Sequence, residues 1–148
     1  MKESTLDLAV EGLYKELGRV DNDLSKIPPV TVPIALLYMF QGMVDNGGFQ
    51  YPMETDFPGC PPYSAFVEAY QRIGANEAAK ALEQAVALFP FDHPEHKAQA
   101  RCEFFGSLEE GSLFEQLSDK VCGDGSIWKR MDEYVATHHD AFAPFITQ

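Results

Sequence analysis

The sequence has little cysteine and no long hydrophobic run. Its three cysteines include no CxxC pair, which argues against a disulfide framework and indicates reduced thiols. The longest unbroken apolar run, Ile34 to Phe40, is far shorter than the roughly 18 residues that a membrane-spanning helix needs. Residues 1–5 carry Lys2 and Glu3 and lead into no apolar segment of the kind a secretory signal has. We therefore expect a cytoplasmic protein that does not bind a membrane.

Positive charge is also scarce. The 11 Lys and Arg residues stand against 23 Asp and Glu, which gives a formal net charge of −12, and no Lys or Arg occurs between Lys26 and Arg72. A chain with this charge repels nucleic acid and favours a basic partner or none. Acidity that serves solubility alone is the alternative interpretation, and the sequence leaves both open.

The hydrophobic residues that are present recur with a helical period. At 148 residues and 45% hydrophobic content, the chain is long enough for one domain with a real core. We predict an all-α fold, a single compact domain over residues 1–148 with about six or seven helices. The first helix begins at a capping pair formed by Ser4 and Asp7 and ends at Gly18. Residues 30–32 are the only weak candidate for a strand.

The second helix, with Thr31 as its candidate cap, is apolar around most of its circumference, so we expect it in the middle of the core. Later helices are predicted from near Pro62 or Tyr63 to Gly74, from the cap Asn76 toward Pro90, from a restart at Asp92-His93-Pro94 through Ala98, Cys102 and Phe105, after a capping box at residues 112–115, and from Ser126 to Phe142. The third and fourth helices should form a tight helical hairpin.

A glycine pair follows the second helix. Gly47 and Gly48 release the backbone from right-handed geometry, which suits a helix end. Aromatic residues follow at once, and we expect Phe49 and Tyr51 to hold this turn against the core. We predict that this motif is structural; its residues are Asn46, Gly47, Gly48, Phe49 and Tyr51.

Over residues 34–142 the chain resembles a bacterial all-helical family of mostly unknown function that includes a DNA-mimic protein, which binds a transcription repressor. The resemblance rests on three segments, residues 44–51, residues 73–90 and the closing Tyr134-Val135 with His138 and Phe142. The continuation after Phe49 differs from the family pattern. The resemblance implies an all-helical fold and a DNA-mimic role that belongs to one branch of the family.

Candidate catalytic and metal-binding residues are few, and we predict no catalytic residue, no metal site and no cofactor. His93 and His96 lie three residues apart but lack the further ligands of a zinc site. Cys60 occupies a Pro-Gly-Cys-Pro-Pro turn with no histidine close in sequence, whereas Cys102 and Cys122 fall on or near apolar stripes and are predicted to be buried. Trp128 is either a partner anchor or an indole packed over a helix edge.

The acidic residues are segregated instead of interleaved with Lys and Arg. Residues 103–124 contain six acids against Lys120 alone. We name them as candidate partner-binding residues: Glu103, Glu109, Glu110, Glu115, Asp119 and Asp124. Acids four residues apart on a helix are separated by about 6 Å along its axis, and duplex DNA carries one negative charge per roughly 1.7 Å of axis. Several rows of carboxylates could therefore imitate a phosphate track.

These observations predict a non-enzymatic protein-binding domain whose acidic surface engages a basic protein, with DNA mimicry as one form of that role. An immunity-type protein that neutralises a basic nuclease toxin would need the same charge pattern. A small hydrolase that depends on Cys60 or on the two histidines is the enzymatic alternative. We expect no direct binding to nucleic acid, and the sequence leaves a homodimer open.

Overall fold

The structure is a computed structural model, and residues 3–147 are described. Within this range the protein is all-helical, with nine α-helices and no strand. The α-helices are α1 (Thr5–Arg19), α2 (Val32–Gly47), α3 (Gln50–Met53), α4 (Tyr63–Arg72), α5 (Asn76–Val86), α6 (Ala98–Gly106), α7 (Leu113–Asp119), α8 (Gly125–Thr137) and α9 (His139–Ile146). Three short 3₁₀ helices lie at Leu24–Lys26, Pro29–Thr31 and Pro94–His96.

The helix count exceeds the predicted six or seven for two local reasons. The glycine pair turns directly into the four-residue helix α3, which was predicted as a loop. The final predicted helix is divided at His138, whose φ of −107° and ψ of 34° interrupt the α-helix before α9 begins. The weak strand candidate at residues 30–32 was wrong, because Pro29–Thr31 forms a 3₁₀ helix.

Several predicted helix ends hold and others shift. The Ser4 hydroxyl accepts from the backbone N–H of Asp7, and the Asp7 carboxylate accepts from that of Ser4, so the predicted capping pair is confirmed. Helix α1 ends at Arg19, one residue beyond the predicted Gly18. The predicted cap Asn76 was wrong, because Asn76 is the first residue of α5 and Ala75 precedes it as the N-cap. Thr31 occupies the N-cap position of α2 as predicted, but its hydroxyl donates to the carbonyl of Pro28 and makes no capping hydrogen bond.

Helix α2 is the centre of the core, as predicted, and its buried residues lie on most sides of the helix. It packs against α1, α3 and α4, while α5 packs against α4 and α7. Helix α1 lies against α8 and α9, and the approach to α9 is close because position 12 is glycine: a Cβ on Gly12 would overlap the backbone of Phe145. The buried apolar side chains form one continuous cluster. Hydrogen bonds from Phe49 to Ser118 and from Gly123 to Asp45 place the end of α2 beside α7 and the start of α8.

Candidate functional site

The glycine pair makes a turn that other residues would not fit. Gly48 has a φ of +69°, in the left-handed region, and its N–H donates to the carbonyl of Val44 over 2.7 Å. A Cβ at this position would overlap Oγ of Ser118, a residue of α7. That same Oγ accepts a 2.7 Å hydrogen bond from the N–H of Phe49. The turn is therefore held against α7 at contact distance.

The two aromatic residues of the motif have different environments. Phe49 is fully buried and meets Phe114 of α7 edge to face, with ring centroids 6.4 Å apart. Tyr51 is 45% exposed, so the expectation that it also holds the turn against the core was wrong. It follows Gln50 into α3, and its Cβ lies over the helix end at Gly47.

Asp45, just before the glycine pair, accepts hydrogen bonds from three partners. Its Oδ1 receives the Gln41 amide and the backbone N–H of Gly123, each at 2.8 Å. Its Oδ2 receives the indole N–H of Trp128 at 2.7 Å. Gly123 and Trp128 flank the start of α8, so this half-buried carboxylate joins the end of α2 to the α7–α8 connection.

Buried polar groups extend this arrangement into the core. Gln41, fully buried, also donates to the carbonyl of Val121 and accepts a 2.6 Å hydrogen bond from the phenol of Tyr70. Burial, reinforced by the Asp45 carboxylate, raises the pKa of Tyr70 well above its ordinary value, so the phenol stays protonated and remains a donor. Each polar atom of the Gln41 side chain thus has a partner, and the end of α2 is fixed against α4 and α8.

A groove of about 310 Å³ runs between this motif and α7. Its lining residues come from both sides: Asp45, Asn46, Gly47, Gly48, Gln50, Phe114, Glu115, Ser118, Asp119 and Cys122. Two of the six candidate acids, Glu115 and Asp119, therefore face the motif across the same groove. We call this surface the acidic groove.

The other four candidate acids lie outside the acidic groove. Glu103, Glu109 and Glu110 are exposed on α6 and on the connection to α7. Asp124 is half-buried, and its carboxylate caps α8 by accepting from the N–H and the hydroxyl of Ser126. A carboxylate occupied in this way is better explained by helix capping than by partner binding.

Within the acidic groove the carboxylates of Glu115 and Asp119 differ in their hydrogen bonds to the rest of the protein. Glu115 accepts from the backbone N–H of Gly111 at 2.8 Å, whereas Asp119 has no hydrogen bond or ion pair to another residue in the range 3–147. Both are exposed. The groove thus offers at least one carboxylate with no intramolecular partner among the described residues.

Trp128 packs inside the protein. Besides its bond to Asp45, the half-buried indole meets the Tyr38 ring edge to face, with centroids 5.5 Å apart. Of the two interpretations of Trp128, packing over a helix edge is the one that the structure shows.

The cysteines and histidines are arranged differently from the prediction. The fold brings the imidazole of His96 to Cys60, which has no histidine near it in sequence, with 3.5 Å between Nδ1 and Sγ. Cys102, predicted as buried, is exposed, and Cys122 is half-buried. Among residues 3–147, no group of three or more His, Cys, Asp or Glu side chains is placed to hold a metal ion.

Sequence reasoning missed Arg101, the largest fully buried side chain. Its guanidinium donates to the carbonyls of Met53 and Pro94 and forms an ion pair of 2.9 Å with Asp56. The signal was present, since Arg101 is four residues before the buried Phe105 and shares its helix face. The apolar stripe was instead drawn through its neighbour Cys102.

A family model described as DMP19-like protein matches residues 25–138. No curated protein and no solved structure matches the chain significantly. No helix within the described residues is long and apolar enough to cross a membrane.

Proposed function

Because the chain belongs to the DMP19-like protein family, we propose that it is a non-enzymatic, cytoplasmic protein-binding domain whose carboxylates engage a basic DNA-binding protein in place of DNA. The observation that carries the proposal is the acidic groove, in which Glu115 and Asp119 lie opposite the glycine motif. Lys and Arg side chains that bind phosphates on DNA also pair with carboxylates.

The charge of the whole chain supports this role. A net charge of −12 gives a negative field that accelerates encounter with a basic protein and repels nucleic acid. Five exposed acids, from Glu103 to Asp119, also follow one another in the sequence on α6, α7 and their connection.

The experiment is displacement of DNA-binding proteins from DNA. Bacterial DNA-binding proteins are loaded on DNA–cellulose at low salt, and the purified protein is added as the eluting agent. We expect it to release a subset of them, and we expect the release to weaken as added salt screens the charges. If no protein is released at any concentration tested, the proposal is wrong.

A matched pair of variants separates a specific surface from net charge. In the first variant five exposed acids of the proposed surface become Gln or Asn: Glu103, Glu109, Glu110, Glu115 and Asp119. In the second, five acids on α1, α4, α5 and α8, each exposed, become Gln: Glu11, Glu68, Glu77, Glu83 and Glu133. Both variants lose the same charge. We expect only the first to lose displacement, and equal loss in both would contradict a localised surface.

A further inference from the structure

Cys60 and His96 form a thiol–imidazole pair that nothing in the proposed function uses. The Cys60 Sγ lies 3.1 Å from the carbonyl oxygen of Glu95 and 3.5 Å from Nδ1 of His96. Cys60 is half-buried, while His96 is exposed. The thiol therefore lies between a carbonyl oxygen and an imidazole, a side chain that can act as a base.

The two residues are held together by the rest of the fold. Cys60 has a φ of +46°, unusual for a residue with a side chain, and its N–H donates to the carbonyl of Phe57 over 2.7 Å. Buried Arg101 fixes both partner segments at once, because it donates to Asp56 on the cysteine side and to Pro94 on the histidine side. The pair is thus a feature of tertiary structure.

Glu95 lies beside both histidines. Its side chain is only 11% exposed, and its carboxylate lies 3.8 Å from Nε2 of His96 and 3.9 Å from Nδ1 of His93. The carboxylate is therefore within ion-pairing distance of the imidazolium that forms when His96 accepts the thiol proton.

We propose that Cys60 is a reactive thiol that forms a mixed disulfide with low-molecular-weight disulfides, with His96 as the base. His96 accepts the proton from the Cys60 thiol, and the thiolate attacks one sulfur of the small disulfide. The S–S bond of the small disulfide breaks, a new S–S bond forms at Cys60, and the released thiolate takes the proton to leave as a thiol. The Cys60 thiol is oxidised to the mixed disulfide, and one sulfur of the small disulfide is reduced to a thiol.

The other two cysteines are internal references. Cys102 is more exposed than Cys60, and its Sγ lies 3.9 Å from the carbonyl oxygen of Glu54. Cys122 is half-buried against the carbonyl of Asp45. If exposure alone set the rate, Cys102 would react first. If the imidazole sets it, Cys60 reacts first.

The experiment measures reaction rates at each cysteine of the full-length protein. The protein is incubated at pH 7 with bis(2-hydroxyethyl) disulfide, an uncharged probe that the acidic surface neither attracts nor repels. Peptide-resolved mass spectrometry then gives the rate of adduct formation at Cys60 and Cys102. We expect Cys60 to react at least about threefold faster than Cys102. A faster reaction at Cys102 would overturn the proposal.

Two histidine variants test the base. His96→Gln removes the imidazole beside the thiol, whereas His93→Gln removes an imidazole that contacts the same Glu95 carboxylate but not the thiol. We expect a severalfold slower reaction at Cys60 in H96Q and an unchanged rate in H93Q, with Cys102 unaffected in both. A variant that only loosened this segment would expose Cys60 and raise its rate. An unchanged or raised rate in H96Q therefore contradicts the proposal.

Discussion

The indole N–H of Trp128 donates a 2.7 Å hydrogen bond to Oδ2 of Asp45, across 83 positions of the chain. The same carboxylate also receives the Gln41 amide and the N–H of Gly123. An acidic residue that counts toward the chain's negative charge is therefore committed to holding α2 against α8. Asp45 is therefore not available to a partner, unlike the exposed acids of α6, α7 and their connection.

Asp45→Ala should destabilise the protein strongly. The substitution leaves three donors without their acceptor, and we expect a loss of about 2–4 kcal/mol in the free energy of unfolding. Urea denaturation followed by the fluorescence of Trp128, the one tryptophan in the sequence, measures it. Asp119→Ala is the control, since an exposed acid with no partner among residues 3–147 should change stability by less than about 0.5 kcal/mol. Equal midpoints for the two variants would contradict the structural role of Asp45.

Gly48→Ala should also be destabilising, by about 1–3 kcal/mol, because it places a side chain at a positive φ and against Ser118 Oγ. Gly18→Ala in α1 is the matched control. No atom beyond its neighbours lies near the added Cβ there, so we expect an unchanged or slightly higher melting temperature. In a Ser118→Ala background, G48A should be less destabilising, because Oγ of Ser118 no longer overlaps the added Cβ. Part of the destabilisation should remain, because the backbone at position 48 still has a positive φ.

These two positions show what the sequence could and could not predict. The start of α1 followed from its capping residue Ser4, and the glycine pair marked the end of α2, whereas α3 and the break at His138 were not predicted. The partners of Asp45 could not be predicted, because Gly123 and Trp128 lie 78 and 83 residues away. Such contacts depend on how the helices pack, which local patterns do not encode.

The position of the acidic groove also depends on how the helices pack. The segregation of acids along residues 103–124 was visible, and it named Glu115 and Asp119. That these two face the glycine motif follows only from the position of α7 beside the end of α2. The capping of α8 by Asp124 is a local contact with Ser126 that the sequence analysis did not identify. Sequence therefore indicated the charge of the candidate surface but not its boundary.

Replacing the two groove acids should separate binding from stability. Glu115 and Asp119 are like charges four residues apart, an arrangement that costs a few tenths of a kcal/mol in a helix. We expect the double variant Glu115→Gln, Asp119→Asn to be as stable as the parent protein or slightly more stable. The Gln oxygen can still accept from Gly111 N–H. The same variant should release less protein from DNA–cellulose. A variant that loses stability and displacement together would point to a structural role instead.

Arg101→Met should cost about 3–5 kcal/mol in the free energy of unfolding. The fully buried guanidinium satisfies Met53 and Pro94 carbonyls and pairs with Asp56, and methionine fills similar volume without donating. Arg19→Met, at a side chain that is 77% exposed, should be near neutral. Thermal unfolding followed by circular dichroism compares them. A small effect of R101M would mean that this region tolerates an apolar replacement, and that Arg101 is not needed to hold the segment.

A second carboxylate–aromatic pair, Asp7 and Tyr38, connects α1 to α2. The Tyr38 phenol donates a 2.7 Å hydrogen bond to Oδ1 of Asp7. This bond is the main cause that lowers the pKa of Asp7, with a contribution from Ser4. The Asp7 carboxylate in turn raises the pKa of Tyr38 to about 12. Each group is thus held in the protonation state that the hydrogen bond requires.

The Asp7–Tyr38 bond therefore predicts stability that depends on pH at both ends of the scale. The lowered pKa of Asp7 stabilises the folded protein at pH values above 3.8, the ordinary pKa of this group. This stabilisation is lost as the pH falls through the pKa that Asp7 has in the folded protein. The raised pKa of Tyr38 stabilises the folded protein at pH values below 10, the ordinary pKa of a tyrosine. This stabilisation is lost as the pH rises toward about 12. The difference in unfolding free energy between the parent and Tyr38→Phe should be constant from about pH 5 to 9 and shrink on either side. The other tyrosines whose pKa is raised are present in both proteins, so their contributions cancel in this difference. Tyr51→Phe, at an exposed phenol, should show no such profile, and a flat difference for Y38F would mean that the hydrogen bond contributes nothing to stability.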